Sequence, residues 1–188
     1  MGFAIAHAAA HMGANVTLVA GPVTQETPQG VERIDVKSAA NMHEAVMQRA
    51  DNADIFIAVA AVADYKVADI ADHKIKKTDP NLSLQLARTK DILADVAALD
   101  GAPFCVGFAA ETRDIEKYAR GKLSRKKLDM IAANPVIPGG KAVFGSDTNS
   151  LEVFWGDNGH HTIDSASKPE VADQLLDLIA VQYRDADN

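Results

Sequence analysis

Lys74, Lys76 and Lys77 place three ammonium groups within four positions, enough charge to neutralise a polyphosphate. The same run also fits a solvated surface, the commoner use of clustered charge. Lys122 and Lys126 stand four apart in a stretch that also carries Lys117, Arg120, Arg125 and Lys127. On a helix they share one face, where two ammonium groups repel unless an anion lies between them. Phosphate fits that place, and so does an exposed basic helix paired with Asp114 and Glu116. Asp64 follows an apolar run and can accept hydrogen bonds from a sugar or base, or simply end a strand. His7 and His11 have the spacing of two metal ligands, but no cysteine or carboxylate signature accompanies them, so no metal site is expected. His160 and His161 read as solvated, and Cys105 as an inert thiol in an apolar strand. No GxSxG, HExxH, Walker-type loop or intact GxGxxG is present, which removes the common hydrolase, protease and kinase readings.

These residues must be positioned by alternating helices and strands. Residues 2–12 are rich in alanine and stop at Gly13, as a helix does. Residues 15–20 form a β-branched run broken by Gly21-Pro22, and residues 31–36 alternate like a strand. Ser38 can cap a helix running to about Arg49. Residues 54–63 are apolar almost throughout, as in a central parallel strand, and residues 82–86 alternate again. Thr89 can cap a helix through Leu99. An apolar strand at 104–109, a charged helix at 114–128 and a short strand at 130–133 follow. Residues 151–155 and 161–163 flank Gly156-Asp157-Asn158-Gly159, a hairpin signal, and an amphipathic helix covers 168–183. The fold class is therefore α/β: a Rossmann-like, doubly wound, mainly parallel sheet with helices on both faces and an antiparallel C-terminal hairpin. In such sheets ligands sit at the carboxyl ends of the strands, where Asp64, the lysine run and Glu111 fall.

The 188 residues suit one domain with a real core, and 47% hydrophobic against 24% charged residues excludes a disordered chain. The net charge of −7 argues against nucleic acid or an anionic membrane as a partner. No apolar run reaches the roughly 20 residues of a membrane span. A single cysteine precludes an internal disulfide and fits a reducing cytoplasm.

Taken in order, several stretches resemble phosphopantothenoylcysteine synthetase in its bacterial form, usually the C-terminal half of a bifunctional protein. They are residues 1–6, 13–19 with Gly21-Pro22-Val23, and Ala60-Ala61-Val62-Ala63-Asp64-Tyr65. Lys74-Ile75-Lys76-Lys77, residues 106–112, Ala119-Arg120 through Lys122 and Lys126, Ala133-Asn134 and residues 144–149 complete the set. The resemblance implies a ligase joining 4'-phosphopantothenate to cysteine. The carboxylate attacks the α-phosphate of CTP, pyrophosphate leaves, and the cysteine amine then attacks the acyl-cytidylate and releases CMP. It implies that Asp64 contacts the CTP sugar or base and that Lys74 binds phosphate and stabilises the activation step as the catalytic residue. Thr89, Lys90, Asp91 and Ile92 would form a nucleotide-contacting helix start, Phe108 would pack near the cytosine, and Lys122 and Lys126 would hold the triphosphate. It further implies magnesium on the phosphates, a mobile flap around the lysine run and a cytoplasmic homodimer. In relatives the domain is fused to a flavin-dependent decarboxylase.

One departure stands out. The family begins with a strand, a glycine-rich turn and an Asn-x-Ser-Ser-Gly-Lys segment whose asparagine handles the acyl-cytidylate. The 188 residues open after it, so residues 1–188 read as a single CTP-binding ligase domain lacking that strand and loop, with turnover expected to be impaired. Its absence would leave an unpaired edge or an inner gap in the sheet. Two other classes follow from the same sequence: a non-catalytic nucleotide-binding fragment or interaction subunit, and an NAD(P)-dependent oxidoreductase. The second predicts a glycine fingerprint, which the chain does not carry.

Overall fold

A computed structural model describes residues 1–71, 73–76, 82–135 and 146–186. The chain opens on α1 (Gly2–His11), followed by the parallel strands β1 (Val16–Ala20) and β2 (Val31–Asp35). Helix α2 (Ala39–Ala50) starts where the sequence predicts, because Ser38 is extended and its side chain accepts from the Asn41 N–H. Strands β3 (Ile55–Ala58), β4 (Tyr65–Val67) and β5 (Leu86–Arg88) precede α3 (Ile92–Ala97). Then come β6 (Phe104–Glu111), α4 (Ile115–Lys126), β7 (Met130–Pro135), β8 (Thr148–Trp155), β9 (Gly159–Ser167) and α5 (Lys168–Ala186).

The principal sheet has the order β3-β6-β7-β8-β9. β3, β6 and β7 pair in parallel, while β8 and β9 add antiparallel, so the doubly wound class with a terminal hairpin is what the chain forms. The hairpin strands are longer than the sequence suggests, and a register shift between Asn149 and Leu151 absorbs an irregularity. β1 and β2 form a separate parallel pair, and β4 and β5 form a two-stranded antiparallel ribbon. Among the described residues β1 pairs only with β2 and β3 only with β6, so each keeps an unpaired edge. Both nevertheless share the same covering helices. Ile55 and Ile57 pack into the core that contains α1 and α5, Phe56 and Val19 into the core that contains α2, and β1 contacts both α1 and α2.

Alternation along the strands sorts side chains into two cores. Phe104, Val106, Met130, Ala132, Leu151, Val153 and Ile163 meet α1 and α5 on one face. Cys105, Ala109, Ile131, Ala133 and Phe154 meet α2, α3 and α4 on the other. Gly107 faces the second core, where a Cβ would stand 2.8 Å from Leu128 Cδ1 and 2.9 Å from Leu93 Cδ2, so those leucine ends would have to shift.

Three segments differ from the sequence reading. The expected central strand at 54–63 is only Ile55–Ala58 and lies at the edge of the five-stranded sheet. The chain leaves the ladder there because Ala63 and Asp64 turn their carbonyls to Thr89 instead. The strand expected at 82–86 forms at Leu86–Arg88, against the unforeseen β4, leaving Leu82, Leu84 and Leu86 exposed at alternate positions. The helix expected to be capped by Thr89 is capped by Asp91 and ends at Ala97.

Cys105 is 1% exposed, and its thiol is pushed up to about 11, first by burial and then by the Asp129 carboxylate. It should therefore stay protonated and react little with a disulfide reagent at pH 8, then label fully in denaturant. Rapid stoichiometric labelling of native protein would contradict this burial.

Candidate functional site

The parallel strands of the main sheet end on one side, and the segments leaving them carry most of the sequence-flagged residues. Thr89 ties two of these segments together. Its Oγ1 donates to the Ala63 carbonyl at 2.6 Å and its N–H to the Asp64 carbonyl at 2.9 Å. The hydroxyl that could have capped a helix is thus spent where the β4–β5 pairing runs on by one residue, Asp64 opposite Thr89. The cap passes to Asp91, whose Oδ1 accepts from the Ala94 N–H at 3.2 Å. The Asp91 carboxylate also meets Lys126 Nζ at 2.8 Å. One turn earlier on α4, Lys122 Nζ donates to Glu111 Oε1 at 2.6 Å. Asp64, Thr89, Asp91, Lys126, Lys122 and Glu111 therefore follow one another around the carboxyl edge of β3 and β6.

The lysine pair is not left to repel. Each ammonium has its own carboxylate, one from the end of β6 and one from the start of α3. A phosphate bound between them would compete with these carboxylates, so the pairs hold the lysines in place until a stronger anion arrives. Burial pushes the Asp91 carboxyl up, but the Lys126 bond, the Ala94 N–H and the charges of Lys126 and Arg125 outweigh it and hold it below 3.8.

Phe108 lies on the other side. It packs in the α1–α5 core with Phe104 and Val106, whereas Lys122 and Lys126 belong to α4 on the opposite face. A ligand touching all three must cross the carboxyl end of β6. Ile92 is buried in the α2–α4 core, so its side chain is unavailable to a ligand and only its backbone can make contact. Lys90, Lys74 and Lys76 are exposed, and no described residue pairs with them; Lys77 and the Phe144-Gly145 stretch lie outside the described residues. Arg120 serves the fold instead. It bonds Glu116, Asp157 O and Gly159 O and lies 5.1 Å over the Phe154 ring, fastening α4 to the β8–β9 turn. His160, read as solvated, stacks on Phe154 and bonds Glu152 at 2.6 Å. The rings of His7 and His11 lie 4.1 Å apart and tilted by 46°, and no group of three or more metal-ligating side chains occurs among the described residues.

Two features carry no role in the sequence reading, although Asn134 and Asn149 stand in stretches that carry the resemblance. Asn134 and Asn149 are both buried at the end of β7 and start of β8, with Asn134 Nδ2 donating to Asn149 Oδ1 and to Ser150 O. Their spacing in the sequence gives no signal, since only the β7–β8 pairing brings them together. A cavity of about 760 Å³ lies between α2 and the β4–β5 ribbon and meets the flagged residues only at Thr89 and Lys90.

The DNA/pantothenate metabolism flavoprotein C-terminal domain family matches residues 1–183. The chain belongs to that family. The coenzyme A biosynthesis bifunctional protein CoaBC of Vibrio cholerae is 52% identical over 185 residues, covering 97% of this chain and 46% of the relative. Its Escherichia coli counterpart is 48% identical over 187 residues, with 97% and 46% covered. The chain thus spans about half the length of the curated relatives it matches. The crystal structure of the C-terminal domain of a CoaBC protein superposes with a TM-score of 0.81 at 34% identity, covering 98% of this chain and 82% of that one. A Cab2 mutant solved with phosphopantothenate-cysteine shares the fold at 15% identity and a TM-score of 0.64, over 84% of this chain and 54% of that one. The family domain thus brings its own fold, and the doubly wound reading of the sequence agrees with it.

Replacing Asp91 by Ala should lower stability by about 1 kcal/mol through loss of the helix cap. Because the folded carboxyl titrates below 3.8, its contribution is present above that value and lost as pH falls through the lowered one. Urea unfolding of wild type and Asp91→Asn should accordingly differ at pH 7 and converge well below pH 4. A gap that persists in strong acid would separate the aspartate charge from stability.

Proposed function

We propose that this domain is the ligase that joins 4'-phosphopantothenate to cysteine with CTP, in the synthesis of coenzyme A. The family and the relatives' names support the pathway. The observation that carries the chemistry is the chain of contacts from Asp64 through Thr89 and Asp91 to Lys126. It gathers phosphate-binding residue types at the carboxyl end of a parallel sheet, where nucleotides bind in such folds.

In this reading the triphosphate displaces Glu111 from Lys122 and Asp91 from Lys126, exchanging carboxylate for phosphate partners of higher charge. Thr89, Lys90, Asp91 and the Ile92 backbone border the nucleotide, Asp64 meets its sugar or base, and the Phe108 ring packs by the cytosine. The substrate carboxylate attacks the α-phosphorus, and the bond to the bridging oxygen breaks as pyrophosphate leaves. Lys74, on an exposed stretch with no described partner, closes on the phosphates and stabilises the charge that builds there. The amine of cysteine then attacks the acyl carbon, loses a proton and expels CMP. Splitting the coupling this way turns a poor electrophile into an activated one. Magnesium would ride on the triphosphate with most of its waters, which needs few protein ligands.

We also place the chain in a cytoplasmic homodimer. No helix among the described residues is long and apolar enough to cross a membrane. The exposed Leu82, Leu84 and Leu86, with Ile70 nearby in sequence, supply apolar surface of the kind that partners cover.

Pyrophosphate release from CTP and phosphopantothenate should be measured on this chain and on a version extended upstream with the relatives' strand and loop. Release by the extended version is expected, and silence from both would sink the ligase reading. Nucleotide binding without release would favour a non-catalytic subunit. In the active version, Lys74→Ala should slow release by about a hundredfold or more, the scale of losing one group that stabilises transition-state charge. Unchanged release would remove Lys74 from the mechanism.

A further inference from the structure

We propose that the cavity between α2 and the β4–β5 ribbon is a second anion site, suited to a small phosphate- or diphosphate-bearing molecule and separate from the candidate nucleotide site. Its ribbon wall carries Lys66, Arg88 and Lys90. None of the three forms an ion pair with a described carboxylate, although the chain has 26 acidic residues against 19 basic ones. Among the described residues Arg88 has only the Tyr65 ring, 6.0 Å away. The contrast with Lys122 and Lys126 is direct, because each of those has a carboxylate within 3 Å. An anion entering the cavity would meet lining cations that no described carboxylate neutralises.

The opposite wall is one stripe of α2. Ala39 and Ala40 bring the helix's amino end to the cavity. The Asn41 N–H is capped by Ser38, whereas those of Ala39 and Ala40 precede the first intrahelical bond and are free to donate to a ligand. His43 borders the same space and is held by Asp95 Oδ2 at 2.8 Å, a bond that also fixes α2 to α3. Among the described residues Glu44 is the one carboxylate lining the cavity, against the three cations Lys66, Arg88 and Lys90, so this lining favours negative charge. At about 760 Å³ the space exceeds a bare phosphate and admits a body behind it, with Met47 as apolar floor. Asp64, Phe108, Lys122 and Lys126 do not reach it. Thr89 and Lys90 form the wall between the two places, so an occupant here would press on the same segment that borders the nucleotide.

The assignment does not depend on the ligase reading, and one experiment keeps them apart. ¹⁵N-labelled protein carrying Lys122→Met and Lys126→Met, which weakens the candidate nucleotide site, is titrated with inorganic pyrophosphate. Saturable shifts are expected at the amides of Ala39, Ala40, His43 and Lys66. Lys66→Met and Arg88→Met, added singly, should each weaken binding by about tenfold, the scale of one charge-assisted contact. Glu44→Gln should tighten it severalfold, a gain that a merely structural role would not produce and that keeps the test open if a cation variant fails to fold. Absent shifts at the α2 amides up to millimolar pyrophosphate would overturn the proposal, as would shifts indifferent to both Arg88→Met and Glu44→Gln. A chain that binds here but releases no pyrophosphate from CTP would keep this site and lose the ligase.

Discussion

Thr89 is the residue on which the functional end of this domain depends. Through a hydroxyl and an N–H it holds the carbonyls of Ala63 and Asp64, residues 26 and 25 positions earlier. Those two bonds continue the antiparallel register of the β4–β5 ribbon by one more pair, Asp64 opposite Thr89. With them, Asp64 is fixed beside the start of α3, and the next turn of chain brings Asp91 to cap that helix and to meet Lys126.

Around this staple the domain separates rigidity from availability. The two cores bury the strand interiors completely at Val106, Met130, Ala132 and Val153, so the carboxyl ends of the strands are held by close packing. The charged residues at those ends are only loosely committed. Lys122 and Lys126 are held by single carboxylates, and Lys66, Lys74 and Arg88 by none among the described residues. A ligand anion therefore meets cations whose positions are set by the fold and whose partners can be exchanged. Surface ion pairs of this kind add little to stability, which leaves them free for binding.

The β1–β2 pair and β3 pose a different constraint. An all-apolar strand such as β3 belongs inside a sheet, yet its four residues are only half buried because one edge has no ladder partner among the described residues. α1 and α2 cover both sides of that interruption, so side-chain packing, and not backbone hydrogen bonding, keeps β1 and β2 attached to the domain. Main-chain groups along the two edges are thus the least satisfied part of the layer.

By itself the sequence determined what local chemistry dictates. Ser38 starts α2, the apolar runs around Cys105 and Ile131 form buried strands, and the Gly156–Gly159 segment turns a hairpin; residue type and neighbours suffice for each. The order of the family motifs likewise sufficed to find the family. Tertiary structure decided whatever depends on partners distant in the chain. Thr89 and Asp91 are both good caps, and only the pull of Ala63 and Asp64 chooses Asp91. Phe108 and the α4 lysines are equally plausible ligand contacts in sequence, but strand alternation puts them on opposite faces. The carboxylates that hold Lys122 and Lys126, and the cations left without one at Lys66 and Arg88, come from pairings 11 to 35 residues apart and from a ribbon whose register no short window encodes. Electrostatic pairing acts through space, and the sequence specifies that space only once the strands have found one another.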